Sequence, residues 1–291
     1  MSHSPDYSRY AIEVDRASSS AHALALDLVG AAKHVLEVGC WTGHVTEHLV
    51  AAGNTVVGVE VDPGAAELAR RFADRVHVVD LDTTALSTAE QGPFDAILLG
   101  AVLEHLRDPA TVLADLVGLL APTGQVVISL PHVGHVDVRL MLLEGRWDYQ
   151  DEGLLDRTHL HWFTRDSIRS MLAAAGLVAT DVRRVLIWPG DTNVPVTPGL
   201  HSPDVLRFIE ADPEARTFQF VLAARRAEPG LADALADAPA PAWPDLAAER
   251  AALTAEVEHL REANAALTNE VEAWRRSKLV RLTAPLRRLR R

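Results

Sequence analysis

Short runs of apolar residues alternate with segments of helical length through the first 225 residues or so, and this rhythm is the strongest constraint on the fold. Buried strands are predicted first, at 35–38, 56–59, 76–79, 96–99 and 126–130. Helices are predicted between them at 42–52, 63–73 and 109–120, the last with a stop at Pro122-Thr-Gly124, and a helix at 165–175 precedes two closing strands at 182–187 and 218–223. Alternating strands and helices imply right-handed crossovers and a parallel sheet covered on both faces. The sequence therefore predicts an α/β, Rossmann-like, doubly wound domain.

Composition divides the chain into a domain at 1–226, a linker rich in Ala and Pro at 227–245, and a tail at 246–291. In the tail, apolar residues repeat every seven positions, with d positions at Leu253, Leu260, Leu267 and Trp274, and a positions at Val257, Asn264 and Val271. Valine at a with leucine at d, and one Asn at a, favours two parallel strands. Opposite charges would also face each other between chains, as Glu256 with Arg261 and Glu270 with Arg275. We therefore predict a C-terminal α-helical coiled-coil tail and a parallel homodimer through residues 250–275; the alternative is one amphipathic helix packed on the domain.

The net charge of −12 is unevenly distributed. Residues 275–291 hold eight basic residues and no acidic one, whereas the other 274 residues hold 20 basic and 40 acidic residues. A segment as acidic as residues 1–274 repels the phosphate backbone of nucleic acids, so we do not expect nucleic acid to be the main partner. The basic tail also carries leucines, so we expect peripheral contact with an anionic membrane surface; the alternative is a solvated or partner-binding tail.

Several absences in the sequence predict a cytoplasmic protein, peripheral at the inner face of the membrane if the tail binds there. The N-terminus has neither a basic start nor an apolar core, as a signal peptide would. The longest apolar runs fall far short of the roughly 18 residues of a membrane-spanning helix. The single cysteine, Cys40, excludes a disulfide framework and suits a reducing compartment.

Glycine and carboxylate residues at the ends of the first three predicted strands indicate an adenosine-containing cofactor. Gly39 stands where the first strand turns into a helix, and it allows the backbone to approach a ligand closely. Glu60 ends the second strand, where a carboxylate can bind both ribose hydroxyls, and Asp80 follows the third strand. Trp41 and His44 occupy the remaining glycine positions of a dinucleotide motif, which excludes NAD and FAD.

Four motifs, VLEVGCWTG, VVGVEVD, VVDLD and FDAILLGAVLEHLRDP, occur in an order and spacing that resemble class I S-adenosylmethionine-dependent methyltransferases (EC 2.1.1.-). The resemblance covers about residues 20–225 and implies a seven-stranded sheet whose last strand is antiparallel. It implies S-adenosyl-L-methionine as the cofactor, a cofactor loop containing Glu37, which orients it, and Glu60 on the ribose. The implied cofactor-binding set is Glu37, Gly39, Cys40, Gly43, Glu60, Val61, Asp80, Leu81, Gly100 and His105. Trp41 departs from the glycine common at its place.

A later block, from SLPHVGHVD to FTRDSIRSMLAAAGL, resembles methyltransferases encoded with bacterial cell-surface polysaccharide machinery. This resemblance implies a sugar or glycan acceptor. Four aromatic residues in the block could pack against sugar rings, namely Trp147, Tyr149, Trp162 and Phe163. The alternative interpretation is a lid that packs a small core of its own.

Methyl transfer to a hydroxyl requires a base, and histidine suits the role because its unperturbed pKa is about 6.5. The candidates are His132, His135, His159 and His161. We predict His159 as the base, oriented by Asp156, with His135 second; for each, a structural histidine is the alternative. No metal site is predicted, although these histidines with Asp137 form an alternative divalent-metal hypothesis.

The leading functional hypothesis is an S-adenosylmethionine-dependent O-methyltransferase of a sugar hydroxyl in a surface glycan or its precursor. The first alternative is a small-molecule O-methyltransferase acting on a quinone precursor or a natural product. The second alternative is a non-catalytic adaptor with a degenerate methyltransferase domain that recruits partners through its coiled coil.

Overall fold

The computed structural model describes residues 14–237, 259–269, 271 and 273, and the chain divides into two compact units, Met1–Pro241 and Ala242–Arg291. In the second unit, residues 259–269 are helical, and Leu260 and Leu267 on this helix are exposed. The heptad positions Leu253, Val257 and Trp274, the charged residues Glu256, Glu270 and Arg275, and the basic segment 275–291 lie outside the described residues. The homodimer and the membrane contact therefore stay predictions. Across the described part of the chain, every helix is too short or too polar to cross a membrane.

The first unit is built on one seven-stranded sheet in the order β3-β2-β1-β4-β5-β7-β6. The strands are β1 (His34–Val38), β2 (Thr55–Glu60), β3 (Arg75–Val78), β4 (Phe94–Gly100), β5 (Leu120–Pro131), β6 (Leu177–Leu186) and β7 (Thr217–Arg226). Strands β1 to β5 pair in parallel, whereas β7 runs antiparallel to both β5 and β6. The predicted mixed sheet with an antiparallel last strand is confirmed.

Helices cover both faces of the sheet, because successive strand residues point to opposite faces. The helices are α1 (Ala21–Val29), α2 (His44–Ala51), α3 (Pro63–Ala69), α4 (Pro109–Gly118), α5 (Val136–Leu143), α6 (Arg165–Ala174), α7 (Pro203–Glu210) and α8 (Ala234–Asp237). On β1, Leu36 belongs to the core cluster that includes Leu113 of α4 and Leu172 of α6. Its neighbour Val35 belongs to the opposite cluster, which contains Leu26 of α1 and Leu49 of α2. The doubly wound arrangement is thus confirmed.

Several predicted boundaries differ from the structure: β6 begins at Leu177 instead of 182, α3 ends at Ala69 instead of 73, and the end of α4 is wrong. Helix α4 ends at Gly118, and the expected stop at Pro122-Thr-Gly124 lies inside β5. Strand β5 begins early because the carbonyl of Leu119 accepts the N–H of Phe94 at 2.9 Å and Leu120 pairs with Phe94. The register between β4 and β5 then shifts before Ala96, so residues between Leu120 and Gln125 are accommodated as an irregularity.

Asn54 joins three segments of the first layer through its side chain. Its Nδ2 donates to the carbonyl of Gly30 after α1 and to that of Leu49 in α2, at 3.0 and 2.9 Å. Its Oδ1 accepts the N–H of Lys33, just before β1, at 2.9 Å. Asn54 is 5% exposed, so water cannot replace these partners without structural change.

We expect Asn54→Ala to lower the free energy of unfolding by about 2–3 kcal/mol, because three backbone groups would lose their partner in a buried place. Urea unfolding measures the effect. The control is Gln91→Ala, which removes an exposed amide that also bonds a backbone carbonyl, that of Ser87. The control should stay within about 0.5 kcal/mol of wild type; equal losses in the two variants would contradict the structural role of Asn54.

Candidate active site

A cavity of about 680 Å³ lies where β1, β2 and β4 end. Strand ends of adjacent parallel strands meet at one edge of a doubly wound sheet, which is where such folds bind ligands. The volume lies within the roughly 300–1,000 Å³ of small-molecule and cofactor sites. Residues 152–159 of the insert between α5 and α6 contribute the far wall.

Glu60, the last residue of β2, organises the loops at the cavity edge. Its Oε1 accepts the backbone N–H groups of Val61 and Asp62 at 2.8 and 2.9 Å, and its Oε2 accepts the N–H of Trp41 at 2.9 Å. A carboxylate offers about four acceptor sites, so Oε2 retains capacity for one more donor. The carboxylate is buried but lines the cavity, which fits a hydroxyl-bearing ligand such as a ribose.

The loop after β1 adopts a left-handed backbone at three places, Gly39 (φ 71°), Trp41 (φ 47°) and Gly43 (φ 89°). A Cβ on Gly39 would stand 2.6 Å from Cγ2 of Val102, so this position excludes every side chain. Trp41 holds a conformation that glycine adopts more easily, while its N–H bonds Glu60 and the residue lines the cavity. The backbone of the loop after β1 can therefore lie close to a ligand. Trp41 places an indole at a position where glycine is common in the methyltransferases that the sequence resembles.

Glu37 bonds the first turn of α2, and its predicted role in orienting the cofactor loop stays a prediction. Its Oε2 accepts the hydroxyl of Thr46 at 2.6 Å, and its side chain is buried in the cavity wall. Burial raises the pKa of Glu37 to about 8, against the opposing effect of the Thr46 hydrogen bond.

The cavity contains eight of the ten residues predicted for the cofactor, namely Glu37, Gly39, Glu60, Val61, Asp80, Leu81, Gly100 and His105. The other two are not among the lining residues and stay predictions. Cys40 is buried in a small core with Ala66 and Ala69, and Gly43 caps α2, where a Cβ would collide with Phe72. The cavity also contains residues that the sequence did not single out as binding residues, namely His22, Ala101, Val102 and Glu104.

The end of the cavity beside the insert, called the acceptor end because the predicted base lies there, brings together Glu104 and His105, in the turn after β4, and His159 of the insert. Each offers one carboxylate oxygen or ring nitrogen, and these three atoms lie within 4.8 Å of one another. The insert is held there by the carbonyl of Glu104, which accepts the N–H groups of Leu160 and His161 at 2.8 and 3.1 Å. Nδ1 of His105 donates to the carbonyl of Thr158 at 3.3 Å, since a carbonyl can only accept.

Two atoms in this group are buried without a hydrogen-bond partner among the described residues, Oε2 of Glu104 and Nδ1 of His159. Burial and, to a smaller extent, the charge of Asp156 raise the pKa of Glu104 to about 8, against the opposing effect of a hydrogen bond from its own backbone N–H. Burial, followed by the charge of His105, lowers the pKa of His159 to about 4, against the opposing charge of Asp156. At neutral pH, His159 is therefore uncharged and has an acceptor lone pair, while Glu104 retains its proton.

Asp156 supports His159 through the turn that carries it. Oδ1 of Asp156 accepts the N–H and the hydroxyl of Thr158 at 2.8 and 2.7 Å, and its carbonyl accepts the N–H of His159 at 3.0 Å. Asp156 therefore fixes the backbone beside His159, and its charge opposes the fall in the pKa of the ring.

The prediction of His135 as the second candidate base is wrong. His135 is fully buried and does not line the cavity: its Nδ1 accepts the N–H of Asp137 as the cap of α5, and its Nε2 donates to the carbonyl of Ile187. The alternative metal hypothesis on the four histidines with Asp137 stays a hypothesis, but two of its side chains are already hydrogen-bonded. Asp137 accepts the N–H of Gly190 and the hydroxyl of Thr192, and His132 bonds the carbonyl of Thr217 in β7.

The four aromatic residues of the insert do not line the cavity: three of them contact one another, and Phe163 packs in the main core of the sheet. Trp147 and Trp162 meet edge to face with ring centroids 5.5 Å apart, and Tyr149 contacts both rings. The two tryptophans pack against a buried cluster that includes Met141 and Leu155. Of the two interpretations drawn from the sequence, the self-packed lid is the one found.

The described residues that line the cavity supply acidic groups but neither Lys nor Arg. Seven carboxyl-bearing residues line it, Glu37, Glu60, Asp80, Asp82, Glu104, Glu152 and Asp156, and burial raises the pKa of two of them, Glu37 and Glu104, to about 8. Low-dielectric walls of a cleft focus such a field. The cavity therefore favours cationic and uncharged ligands over anionic ones.

Comparison with known proteins shows the family of the chain. A family model described as a methyltransferase domain matches residues 10–182, more than half of the chain. The chain therefore belongs to the methyltransferase domain family.

The curated relatives include a ubiquinone biosynthesis O-methyltransferase of Thiobacillus denitrificans, 34% identical over 178 residues that cover 56% of this chain and 76% of the relative. A protein of the same name from Ralstonia nicotianae is 31% identical over 133 residues, 41% of this chain and 56% of the relative. The chain spans about half the length of the first curated relatives it matches. Among solved structures, the 1,6-didemethyltoxoflavin-N1-methyltransferase of Burkholderia thailandensis aligns with a TM-score of 0.47 at 22% identity, covering 74% of this chain and 80% of that one.

We expect Glu104→Gln to stabilise the protein at pH 8.5 and to leave its stability nearly unchanged at pH 5. The folded chain keeps the Glu104 proton up to about pH 8, whereas the unfolded chain loses it near pH 4.5, so the free energy of unfolding falls between these values. Glutamine has no proton to lose, so the free energy of unfolding of the variant should exceed that of wild type by about 2–4 kcal/mol at pH 8.5. Urea unfolding measures this difference. Glu152→Gln, which removes an exposed carboxylate of the same cavity, should show no such gain; equal stabilities of wild type and Glu104→Gln at pH 8.5 would contradict the buried acid.

Proposed function

We propose that this member of the methyltransferase family uses S-adenosyl-L-methionine to methylate a hydroxyl group of a small, uncharged acceptor. One observation carries the proposal: a single cavity joins the Glu60 carboxylate, with its remaining acceptor capacity, to the unpartnered Nδ1 of His159. The first end suits a ribose, and the second suits a hydroxyl that loses its proton.

The residues present fit the cofactor on chemical grounds. Glu60 and the left-handed loop at Gly39 supply a carboxylate and a closely approaching backbone, and the negative walls suit a ligand with a positive sulfur. When bound, S-adenosylmethionine supplies an electrophilic methyl group on a sulfonium. The chain positions the acceptor, and Nδ1 of His159 accepts the hydroxyl proton as the oxygen attacks.

The acceptor class follows from charge and from relatives. A phosphate-bearing acceptor, such as a nucleotide sugar, would find seven carboxyl groups and no Lys or Arg among the described lining residues. Two relatives at 31% and 34% identity are named for ubiquinone biosynthesis, and this supports a small phenolic hydroxyl as the first candidate. A hydroxyl of an uncharged sugar or glycan end is the second candidate, supported by the resemblance of the insert to polysaccharide-associated methyltransferases.

Binding of the product S-adenosylhomocysteine, measured by calorimetry, tests the cofactor assignment. We expect micromolar affinity for wild type and at least a tenfold loss in Glu60→Gln, because an amide nitrogen replaces one acceptor oxygen and faces backbone N–H donors. Glu67→Gln, an exposed position on α3, should bind like wild type. Absence of binding to wild type would overturn the assignment and leave the adaptor hypothesis.

Transfer of labelled methyl groups identifies the acceptor and tests the base. The panel pairs uncharged phenols and sugars with their phosphorylated forms and with nucleotide sugars; methylation of the phosphorylated members alone would contradict the proposal. On the best acceptor, we expect His159→Ala to lower kcat by about 10²–10⁴-fold while the affinity for S-adenosylhomocysteine is unchanged. His161→Ala is the matched control, because its ring bonds the carbonyl of Arg107 outside the cavity, and it should keep kcat within about threefold.

A further inference from the structure

Four buried carboxyl groups border the cavity, and they differ in how their oxygens are satisfied. Glu60 accepts three backbone N–H groups, Glu37 accepts the Thr46 hydroxyl, and Asp156 accepts two groups of Thr158. Glu104, only 1% exposed, retains a buried oxygen, Oε2, with no partner among the described residues. A buried polar atom of this kind is destabilising unless something binds it.

The groups that face Glu104 provide no permanent positive charge. His105 belongs to its own turn, and His159 and Asp156 approach from the insert. His159 is uncharged at neutral pH, and Asp156 carries the same sign as an ionised Glu104. The other ionisable groups of the cavity are carboxylates and the imidazoles of His22 and His44, whose pKa values burial lowers. A cationic ligand would therefore provide the counterion that the described side chains lack.

We propose that Glu104 is the counterion of the cofactor sulfonium, ionised when S-adenosylmethionine is bound and protonated when S-adenosylhomocysteine is bound. This inference rests on the proposed function. A sulfonium carries a positive charge, whereas the thioether of the product is uncharged, so the two ligands stabilise different protonation states of one buried carboxyl.

The change in the protonation state of Glu104 also accounts for the proton that the acceptor hydroxyl loses. The acceptor oxygen forms a bond to the methyl carbon, the carbon–sulfur bond breaks, and its electron pair stays on sulfur. His159 takes the hydroxyl proton at Nδ1. One ring nitrogen of His159 lies within 4.8 Å of a Glu104 carboxylate oxygen, a separation that one bridging water spans, and the proton ends on Glu104. One positive and one negative charge disappear together, so no net charge is left in the cavity.

Calorimetric affinities for S-adenosylmethionine and S-adenosylhomocysteine between pH 6.5 and 9.5 test the assignment. The measured quantity is the ratio of the affinity for S-adenosylmethionine to the affinity for S-adenosylhomocysteine. Between pH 6.5 and 9.5 this ratio should rise about tenfold more in wild type than in Glu104→Gln, because a fall of one unit in the pKa of Glu104 on binding the cation corresponds to that factor. Because wild type and variant are measured with the same two ligands, the ionisation of the ligands themselves cancels in the comparison. Glu37→Gln is the matched control: Glu37 is also buried and its pKa is also raised to about 8, but Thr46 already holds its carboxylate, so the rise should persist.

Three results would overturn the assignment: the same rise in Glu104→Gln, its loss in Glu37→Gln, or a rise that disappears when EDTA removes divalent cations. Should Glu104→Gln fail to fold, proton release by wild type decides, measured at pH 7.5 in two buffers of different ionisation enthalpy. We expect S-adenosylmethionine to release more protons than S-adenosylhomocysteine, and equal release would overturn the assignment. Failure of wild type to bind S-adenosylhomocysteine at all would instead overturn the proposed function.

Discussion

The Glu60 carboxylate is the interaction on which the cavity depends. It accepts N–H groups from its own strand end and from the loop after the neighbouring β1, so it fixes two strand ends relative to each other. Without that carboxylate, the left-handed backbone at Trp41 would lose a bond that compensates its strain. The position that binds a ribose in this kind of fold is therefore also the position that shapes the loop beside it.

The second organising feature is the docking of the insert on the turn after β4. The Glu104 carbonyl accepts two N–H groups of the insert, and His105 bonds Thr158. These contacts carry His159 to the cavity, while Trp147 and Trp162 build a separate core that keeps the insert compact. The aromatic residues thus act on the acceptor end indirectly, by holding the backbone that bears His159.

Electrostatics connects the two ends. The described lining residues include carboxyl groups and imidazoles but neither Lys nor Arg, so burial raises the pKa of Glu37 and Glu104 and lowers that of His159. A cavity of this kind holds protons on its acids until a cation enters. The charge of the ligand and the protonation of the walls are then coupled, which is the basis of the role inferred for Glu104.

The sequence alone determined the sheet, the helices and the cofactor end. Strand and helix periodicity, the glycine at position 39 and the carboxylates at 60 and 80 are local patterns that one sequence displays. Only the tertiary structure decided the acceptor end. The sequence gives no distance between Glu104 and His159, which are 55 positions apart, and nothing local marks His135 as a helix cap or the aromatic residues as a self-packed core. The physical reason is that burial and the pairing of polar atoms depend on contacts between distant segments, which periodicity does not encode.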